Sequence, residues 1–531
     1  MTTRKPAIWG YLILALALSS QCGVHLATPV VTRGADNSSL TQTTSIYLPF
    51  VSKPCINCYY VDARLGSDAN MGTQDQPWQT IQKAVNTLTA GDMVYVRGGQ
   101  YDGIKNGWHF QNSGAQSQPI TLTNYPGEQV IFKITTATRN DHQIFSCNTN
   151  PTQPLSWNTP KADHIRIIGT DVLPQVLSNN VESKKGIVIQ GIEGEQSAGV
   201  IASDCDYWEI AGVDFVEVSY GIFTSKNNWQ TMEEHSTDNW YVHDNRVYIY
   251  YRESGMQFNG DDNLIVNNEI YKVSDRLDTP YGCQLLNILG DHNIIRGNIL
   301  SRAGSAADCG GILFEWDLAD ANLVERNLIY DVPTGLDIEG GDDNIIRNNV
   351  IYRTGTPDPY RAGIEIKSYD DLKTDWPCNE TVSSAQTLLP ANNPAHPDYQ
   401  YFYNPRNCHS YGNQIYNNTI HGFVEAIRLY SLAGENTIIR NNIFSEWTRG
   451  SICFYNTYGI CKPLPAEVTA SNNAAQDFEF VDTLHFDFHL TAISPLIDAG
   501  YNLGPLNPDD FDGNVRPQGA GYDIGAYEHL P

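Results

Sequence analysis

The sequence predicts an all-β fold in which short strands stack coil upon coil into a solenoid, and three observations carry that prediction. First, a phrase recurs: an asparagine, two or three apolar residues, one or two more asparagines, then another apolar pair. It reads NLIVNNEIY from Asn263, NIIRGNIL from Asn293, NLVERNLIY from Asn322, NIIRNNVIY from Asn344, NQIYNNTI from Asn413 and NTIIRNNIF from Asn436, with a weaker copy from Asn239. Second, the steps between copies are 24, 30, 29, 22, 69 and 23 residues. A period in the low twenties that tolerates insertions belongs to stacked coils rather than to a globule with one central core. Third, coils hold a further short strand that opens on a small residue: GMQFN from Gly255, GCQLL from Gly282, GILFE from Gly311, GLDIE from Gly335, GIEIK from Gly363 and AIRLY from Ala426.

A solenoid grows in one dimension, so most of the 531 residues can belong to one body. The 43 Gly and 27 Pro suit a fold full of tight turns. A formal charge of -27 argues against nucleic acid and anionic membrane surfaces as partners. It also means that an acidic polymer bound here would need local positive charge or a bridging cation.

From the N-terminus, residues 1–27 read as an export signal: Arg4 and Lys5 give a basic start and Ala7 to Leu18 a short apolar core. That core is too short to span a bilayer, and Ser19-Ser20-Gln21 ahead of Cys22 matches a lipobox poorly. A secreted or cell-surface protein without a transmembrane anchor is expected. Residues 28–57, rich in Thr and Ser, read as a linker. Beyond Cys22 ten cysteines remain, an even number that fits disulfides in an exported chain. The natural local pairs are Cys55 with Cys58, Cys378 with Cys408 and Cys453 with Cys461. Cys283 and Cys309 fall on neighbouring coils, and Cys147 and Cys205 remain for each other.

The solenoid is expected over residues 58–480. Its first part, YYVDARLGSDANMGTQDQPWQTIQKAVNTLTAGDMVYVRGG, puts Ile81, Ala84, Val85 and Leu88 on one helical face near 77–90, followed by a turn at Gly91-Asp92 into a strand. This stretch resembles the N-terminal cap of secreted right-handed parallel β-helix proteins, family-nine pectate lyases among them. The resemblance implies a right-handed single-stranded parallel β-helix whose open end is plugged by the helix. The repeated asparagines are read as an internal hydrogen-bonded ladder. The long 69-residue step carries an insertion near 369–411 with Trp376, Cys378 and Cys408, a candidate cleft wall. Residues 481–531 resemble the closing segment of secreted β-helix proteins of the choice-of-anchor type. There Asp509, Asp510 and Asp512 read as solvated turn residues. His243, His292 and His421 read as turn or surface residues.

Side chains alternate faces along a strand. In the strands that open on a small residue, the first and third residues after it are mostly large and apolar and point inward. The second and fourth then point outward: Gln257 and Asn259, Gln284 and Leu286, Leu313 and Glu315, Asp337 and Glu339, Glu365 and Lys367, Arg428 and Tyr430. With coils about 4.8 Å apart, Glu315, Asp337, Glu339, Glu365, Lys367 and Arg428 form one patch beside the insertion. Four carboxylates this close repel one another, and a calcium ion suits them outside the cell. Trp316 and Tyr430 flank the patch and read equally as surfaces that stack on sugar rings and as packing under the insertion. Gln257 and Gln284 extend the same face toward a substrate.

The patch resembles the calcium-dependent β-helix polysaccharide lyases of the chondroitinase-B and alginate-lyase kind. That resemblance implies Asp337, Glu339, Glu365 and Glu315 as calcium ligands and Lys367 as the base that removes the proton alpha to a uronic carboxylate. Arg428 would steady the enolate-like intermediate. Lys367 beside Glu339 and Glu365 should have a raised pKa, making it a poor base until a cation cancels those charges. The expected partner is an acidic polysaccharide, with the protein a monomer. A glycoside hydrolase on the same scaffold, using the same carboxylates as acid and base, and a non-catalytic surface or adhesion protein are the competing readings.

Overall fold

The computed structural model describes residues 57–530 except 105–106, 136–142, 148–160, 178–180, 193–196, 226–236, 251–253, 274–282, 303–308, 316–318, 368–409, 431–433, 456–460, 476–477 and 479. The export segment, most of the linker, Cys55, Gly282, Trp316, and the insertion with Cys378 and Cys408 therefore lie outside the described residues.

Within the unit from Tyr59 to Pro531, three parallel sheets of 13, 12 and 11 strands run along the molecule, each coil adding one strand to each sheet. The chain is a right-handed parallel β-helix. Its interior is filled by aligned columns. In the first sheet Ile265, Ile295, Val324, Ile346, Ile415 and Ile439 stack in register. In the third, Phe258, Ile288, Phe314, Ile338, Ile366 and Leu429 do the same. All of these side chains are buried, and burying one of them stabilises the fold by about 1.5–3 kcal/mol.

The asparagine phrase now has a mechanical explanation. Between the first and second sheets the chain turns within two residues. The first adopts a left-handed conformation: Asn267, Asn348, Asn417 and Asn441, with Gly297 and Arg326 at the same position, have φ between 49 and 66°. Glycine and asparagine adopt this conformation most readily. The second residue of the turn faces inward and forms the ladder. Asn268 Nδ2 donates to Asn298 Oδ1 at 3.1 Å, Asn298 to Asn327 at 3.0 Å, Asn327 to Asn349 at 3.0 Å, Asn349 to Asn418 at 2.9 Å and Asn418 to Asn442 at 2.9 Å. The asparagine that opens each phrase forms a second column, in which the backbone N–H of Asn263 donates to Asn293 Oδ1 at 2.8 Å and that of Asn293 to Asn322 Oδ1 at 2.7 Å. An aspartate column precedes it: the N–H groups of Asp291, Asp320 and Asp342 donate to Oδ1 of Asp261, Asp291 and Asp320 at 2.8, 2.9 and 2.7 Å.

A helix at Ile81–Thr87 starts at Thr80, whose hydroxyl accepts from Lys83 N. It buries Ile81, Ala84 and Val85 in the main core. Disulfides join Cys147 to Cys205, Cys283 to Cys309 and Cys453 to Cys461. The second links residues paired in register on adjacent coils, and Cys58 is also disulfide-bonded.

The C-terminal segment lies along the flank of the helix instead of only closing its end. Phe488, Leu496, Ile524 and Tyr527 pack with Val350, Tyr352 and Ile443. The left-handed asparagines meet its backbone: Asn348 Nδ2 donates to Asp509 O at 2.7 Å, Asn417 Nδ2 to Asp523 O at 2.7 Å and Asn441 Nδ2 to Tyr501 O at 2.8 Å. Two sequence readings change here. Asp510 is fully buried and accepts from the N–H groups of Asn514 and Glu528, so it is no solvated turn residue. His421 is buried against Phe488.

Candidate active site

The site lies on the third sheet, on the strands Cys283–Ile288, Cys309–Phe314, Leu336–Glu339, Ala362–Lys367, Glu425–Tyr430 and Gly450–Tyr455. A glycine column sets their close stacking. A Cβ added at Gly311 would lie 2.2 Å from the carbonyl oxygen of Gly335, one at Gly335 2.6 Å from that of Gly363, and one at Gly363 2.8 Å from that of Ala426. Pairing then places Asp337 beside Glu365, Glu339 beside Lys367, and Glu365 beside Arg428.

The register corrects one row of the sequence reading. The column passes from Gly255 to Leu285, not to Gly282, since a Cβ at Gly255 would meet Leu285 O at 2.7 Å. A leucine has taken the small-residue slot in that coil, and the strand is displaced by three residues from the sequence alignment. The outward row is therefore Gln257, Asn287, Leu313, Asp337, Glu365 and Arg428. Gln284 pairs with Gly310 outside this row, and Leu286 belongs to the core. Asn287 Nδ2 donates to Glu315 Oε2 at 2.6 Å.

The patch is not a solvated face. Asp337, Glu365, Lys367 and Arg428 are all at most 5% exposed. Lys367 Nζ lies 2.5 Å from Asp337 Oδ2, 3.1 Å from Glu365 Oε2 and 3.7 Å from Glu339 Oε1. Burial disfavours its charge, yet the carboxylates of Asp337, Glu365 and Glu339 outweigh burial and hold its pKa above the ordinary lysine value. Burial, and then the neighbouring Asp337 carboxylate, raise the pKa of Glu339 against the pull of Lys367. Burial also raises that of Glu365, against Lys367 and Arg428.

Arg428 is fully engaged. Nε donates to Glu425 Oε2 at 2.9 Å, and Nη2 forms an ion pair with the same carboxylate. Nη1 reaches Tyr360 O at 2.6 Å, Glu365 Oε1 at 3.1 Å and the Tyr430 hydroxyl at 3.3 Å. Glu425 escaped the sequence reading because its strand parity matches inward-facing Ile427 and Leu429. Its signal was a carboxylate at an inward position three residues before an arginine. It is fully buried and also takes Arg449 Nη1 at 2.9 Å and the Tyr455 hydroxyl.

The expected calcium ligands are distributed unevenly. Both Glu365 oxygens are taken, Oε2 by Lys367 and Oε1 by Arg428 and the Ala362 N–H. Asp337 Oδ1 is buried with no hydrogen-bond partner, and Glu339, partly exposed, feels the charges of both Asp337 and the partly exposed Glu315. Among the described residues, no three His, Cys, Asp or Glu side chains are arranged to hold a metal ion as they stand. The donor chemistry at Asp337, Glu339 and Glu315 does suit a hard cation, with Asp337 Oδ1 the atom that lacks a partner. Among the described residues, no helix is long and apolar enough to cross a membrane.

Comparison with known proteins places the fold and stops short of the site. A family profile described as "Pel9A-like, right handed beta helix region" matches residues 59–299. Over 67 residues the chain is 46% identical to pectate lyase PEL9 of Emericella nidulans, a match covering 13% of this chain and 16% of that protein. Over 67 residues it is 38% identical to the uncharacterized protein YwoF of Bacillus subtilis, covering 13% of this chain and 14% of that protein. Among solved structures, pectate lyase Pel9A superposes with TM-score 0.46 and 14% identity, over 89% of this chain and 96% of that one. The PL6 family polysaccharide lyase Pedsa3628 from Pseudopedobacter saltans superposes with TM-score 0.42 and 13% identity, over 74% and 90%. The chain is thus similar, through its N-terminal half, to Pel9A-like right-handed β-helices, and the profile match covers Gln257 and Asn287 but ends before Glu315, Asp337, Glu339, Glu365, Lys367 and Arg428.

Proposed function

We propose that this protein is an extracellular polysaccharide lyase that cleaves uronic-acid-containing glycans by β-elimination, with calcium as cofactor. The observation that carries the reading is the Lys367 ammonium set among Asp337, Glu365 and Glu339 on the outer side of one sheet, next to Arg428. The Pel9A-like match and the identity to a pectate lyase support the substrate class. Asp337, Glu339 and Glu315 would hold the cation. Bound there, it would offset the carboxylate charges and polarise a substrate carboxylate, acidifying the proton alpha to it. Lys367, once neutral, takes that proton on Nζ. The bond from the β-carbon to the glycosidic oxygen then breaks, leaving a carbon–carbon double bond, and the departing oxygen takes a proton from water. Arg428 keeps its charge throughout and opposes the negative charge that builds on the substrate. Glu365 spaces the two cations by bonding both.

One observation favours a second reading, a glycoside hydrolase. Glu339 is a partly exposed acid whose pKa is raised by burial and by Asp337, the property a general acid needs. Incubation with pectate, alginate and chondroitin separates the two. Products that gain ultraviolet absorbance report β-elimination; new reducing ends without that gain report hydrolysis and overturn the lyase reading.

A further inference from the structure

A second feature adjoins the buried cluster on the side away from Glu315. The stretch 353–361 follows the strand Val350–Tyr352 and leads into the strand Ala362–Lys367. Its backbone is pinned to two arginines: Tyr360 O accepts from Arg428 Nη1 at 2.6 Å and Pro359 O from Arg449 Nη2 at 3.2 Å. Internal bonds tighten it further, with Tyr360 N–H donating to Asp358 Oδ1 at 2.8 Å and Arg361 N–H to Asp358 O at 3.2 Å. Despite this anchorage Tyr360 is 79% exposed. A large aromatic ring on a fixed backbone, open to water, has lost much of its freedom and gained little burial in return. That is the economy of a surface built to stack on a ligand.

Arg449 stands beside it. Its Nη1 bonds Glu425 Oε1 at 2.9 Å and the Tyr455 hydroxyl at 3.1 Å, which fixes its orientation. Its side chain is still 35% exposed. The formal charge of the chain is -27, yet Arg361, Arg428 and Arg449 gather here around Glu365 and Glu425. The opposite end of the patch holds Glu315, Asp337 and Glu339 around Lys367 alone. With Asp358 in the same loop, three arginines face three carboxylates here, so the patch is acidic toward Glu315 and close to balanced toward Arg449. A carboxylate-bearing sugar can pair there with the part-exposed Arg449 guanidinium without any metal.

We propose that Tyr360 and Arg449 form a sugar subsite flanking the Lys367 cluster, where the Tyr360 ring stacks on one pyranose and Arg449 pairs with the carboxylate of a uronic acid residue. The proposal rests on the lyase reading for the position of the bond cleaved. The subsite itself is a binding feature and does not require turnover.

Binding of oligogalacturonate, and of the same oligomer with its carboxyl groups reduced to alcohols, is measured by calorimetry in the presence of a calcium chelator. The proteins compared are the wild type, Tyr360→Ala and Arg449→Gln, each checked for an unchanged thermal transition. Arg449→Lys serves as a second variant that keeps the charge beside Glu425. Tyr360→Ala is expected to weaken both oligomers by about tenfold. Arg449→Gln should weaken only the acidic one, with Arg449→Lys recovering part of the loss. Unchanged affinity in Tyr360→Ala, equal losses for the two oligomers in Arg449→Gln, or no binding of either oligomer by the wild type overturns the subsite. Binding that depends on both residues, without unsaturated products from any acidic glycan, keeps the subsite and overturns only the lyase.

Discussion

Lys367 has two roles that single substitutions can separate. As a structural cation it is the partner of buried Asp337 and Glu365. Removing one member of such a buried set costs about 3–5 kcal/mol, because the other charges stay uncompensated. Lys367→Met should therefore lower the urea unfolding midpoint. The loss should be smaller at about pH 5 than at about pH 8, since carboxylates without their cation are the more readily protonated. An equal loss at both pH values would show that the pairing contributes little. Glu425→Ala tests the neighbouring anchor. It should destabilise by a similar amount and release Arg428, whose Nε and Nη2 both depend on that carboxylate. At this scale the site was partly legible in the sequence. Alternation placed Asp337, Glu339, Glu365, Lys367 and Arg428 together because their strands each open on a small residue. Gln284 was misplaced because Leu285 fills the slot that glycine fills elsewhere, and nothing in one sequence marks a leucine as a glycine surrogate. Glu425 was missed because alternation assigns it to the interior.

The strand-turn units are held by side-chain columns of unequal strength. Asn298 accepts from the N–H and Nδ2 of Asn268 and donates to Asn327 Oδ1 and Ile265 O. Asn293 accepts from one N–H, and its Nδ2 has no hydrogen-bond partner. At about 1 kcal/mol for each bond lost, Asn298→Ala should lower the unfolding midpoint more than Asn293→Ala, and the reverse order would contradict the ladder. Within the aspartate column, Asp320 should respond to pH. Burial pushes Asp320 up to about 7, with the charges of Asp291 and Asp343 adding to it and the Asp342 N–H and His292 opposing. A carboxyl with a higher pKa folded than unfolded stabilises fully below its unfolded value of about 3.9. That contribution is lost as pH rises through about 7. Asp320→Asn should then raise the melting temperature by about 1–2 °C at alkaline pH and leave it unchanged in acid. The asparagine phrase made the coils legible from sequence, whereas the aspartates did not stand out because their spacing alone does not show that they stack.

The unit from Tyr59 to Pro531 is a β-helix with its candidate site toward the C-terminal coils and its flank covered by the closing segment. The flank covering was not legible: the closing segment has no periodicity of its own, and its contacts with Tyr352, Asn348 and Asn417 span more than a hundred residues. Ending the chain after Ala475 should expose Val350, Tyr352 and Ile443 and produce a protein that binds a hydrophobic dye and aggregates. A monomeric, cooperatively melting product would show that the segment is dispensable. The most direct test of the central claim is the formation of unsaturated product from pectate, alginate and chondroitin by the wild type and Lys367→Ala, each with calcium and with a chelator. The account predicts product only from the wild type with calcium, with Lys367→Ala folded and inactive. Full activity of Lys367→Ala would contradict it.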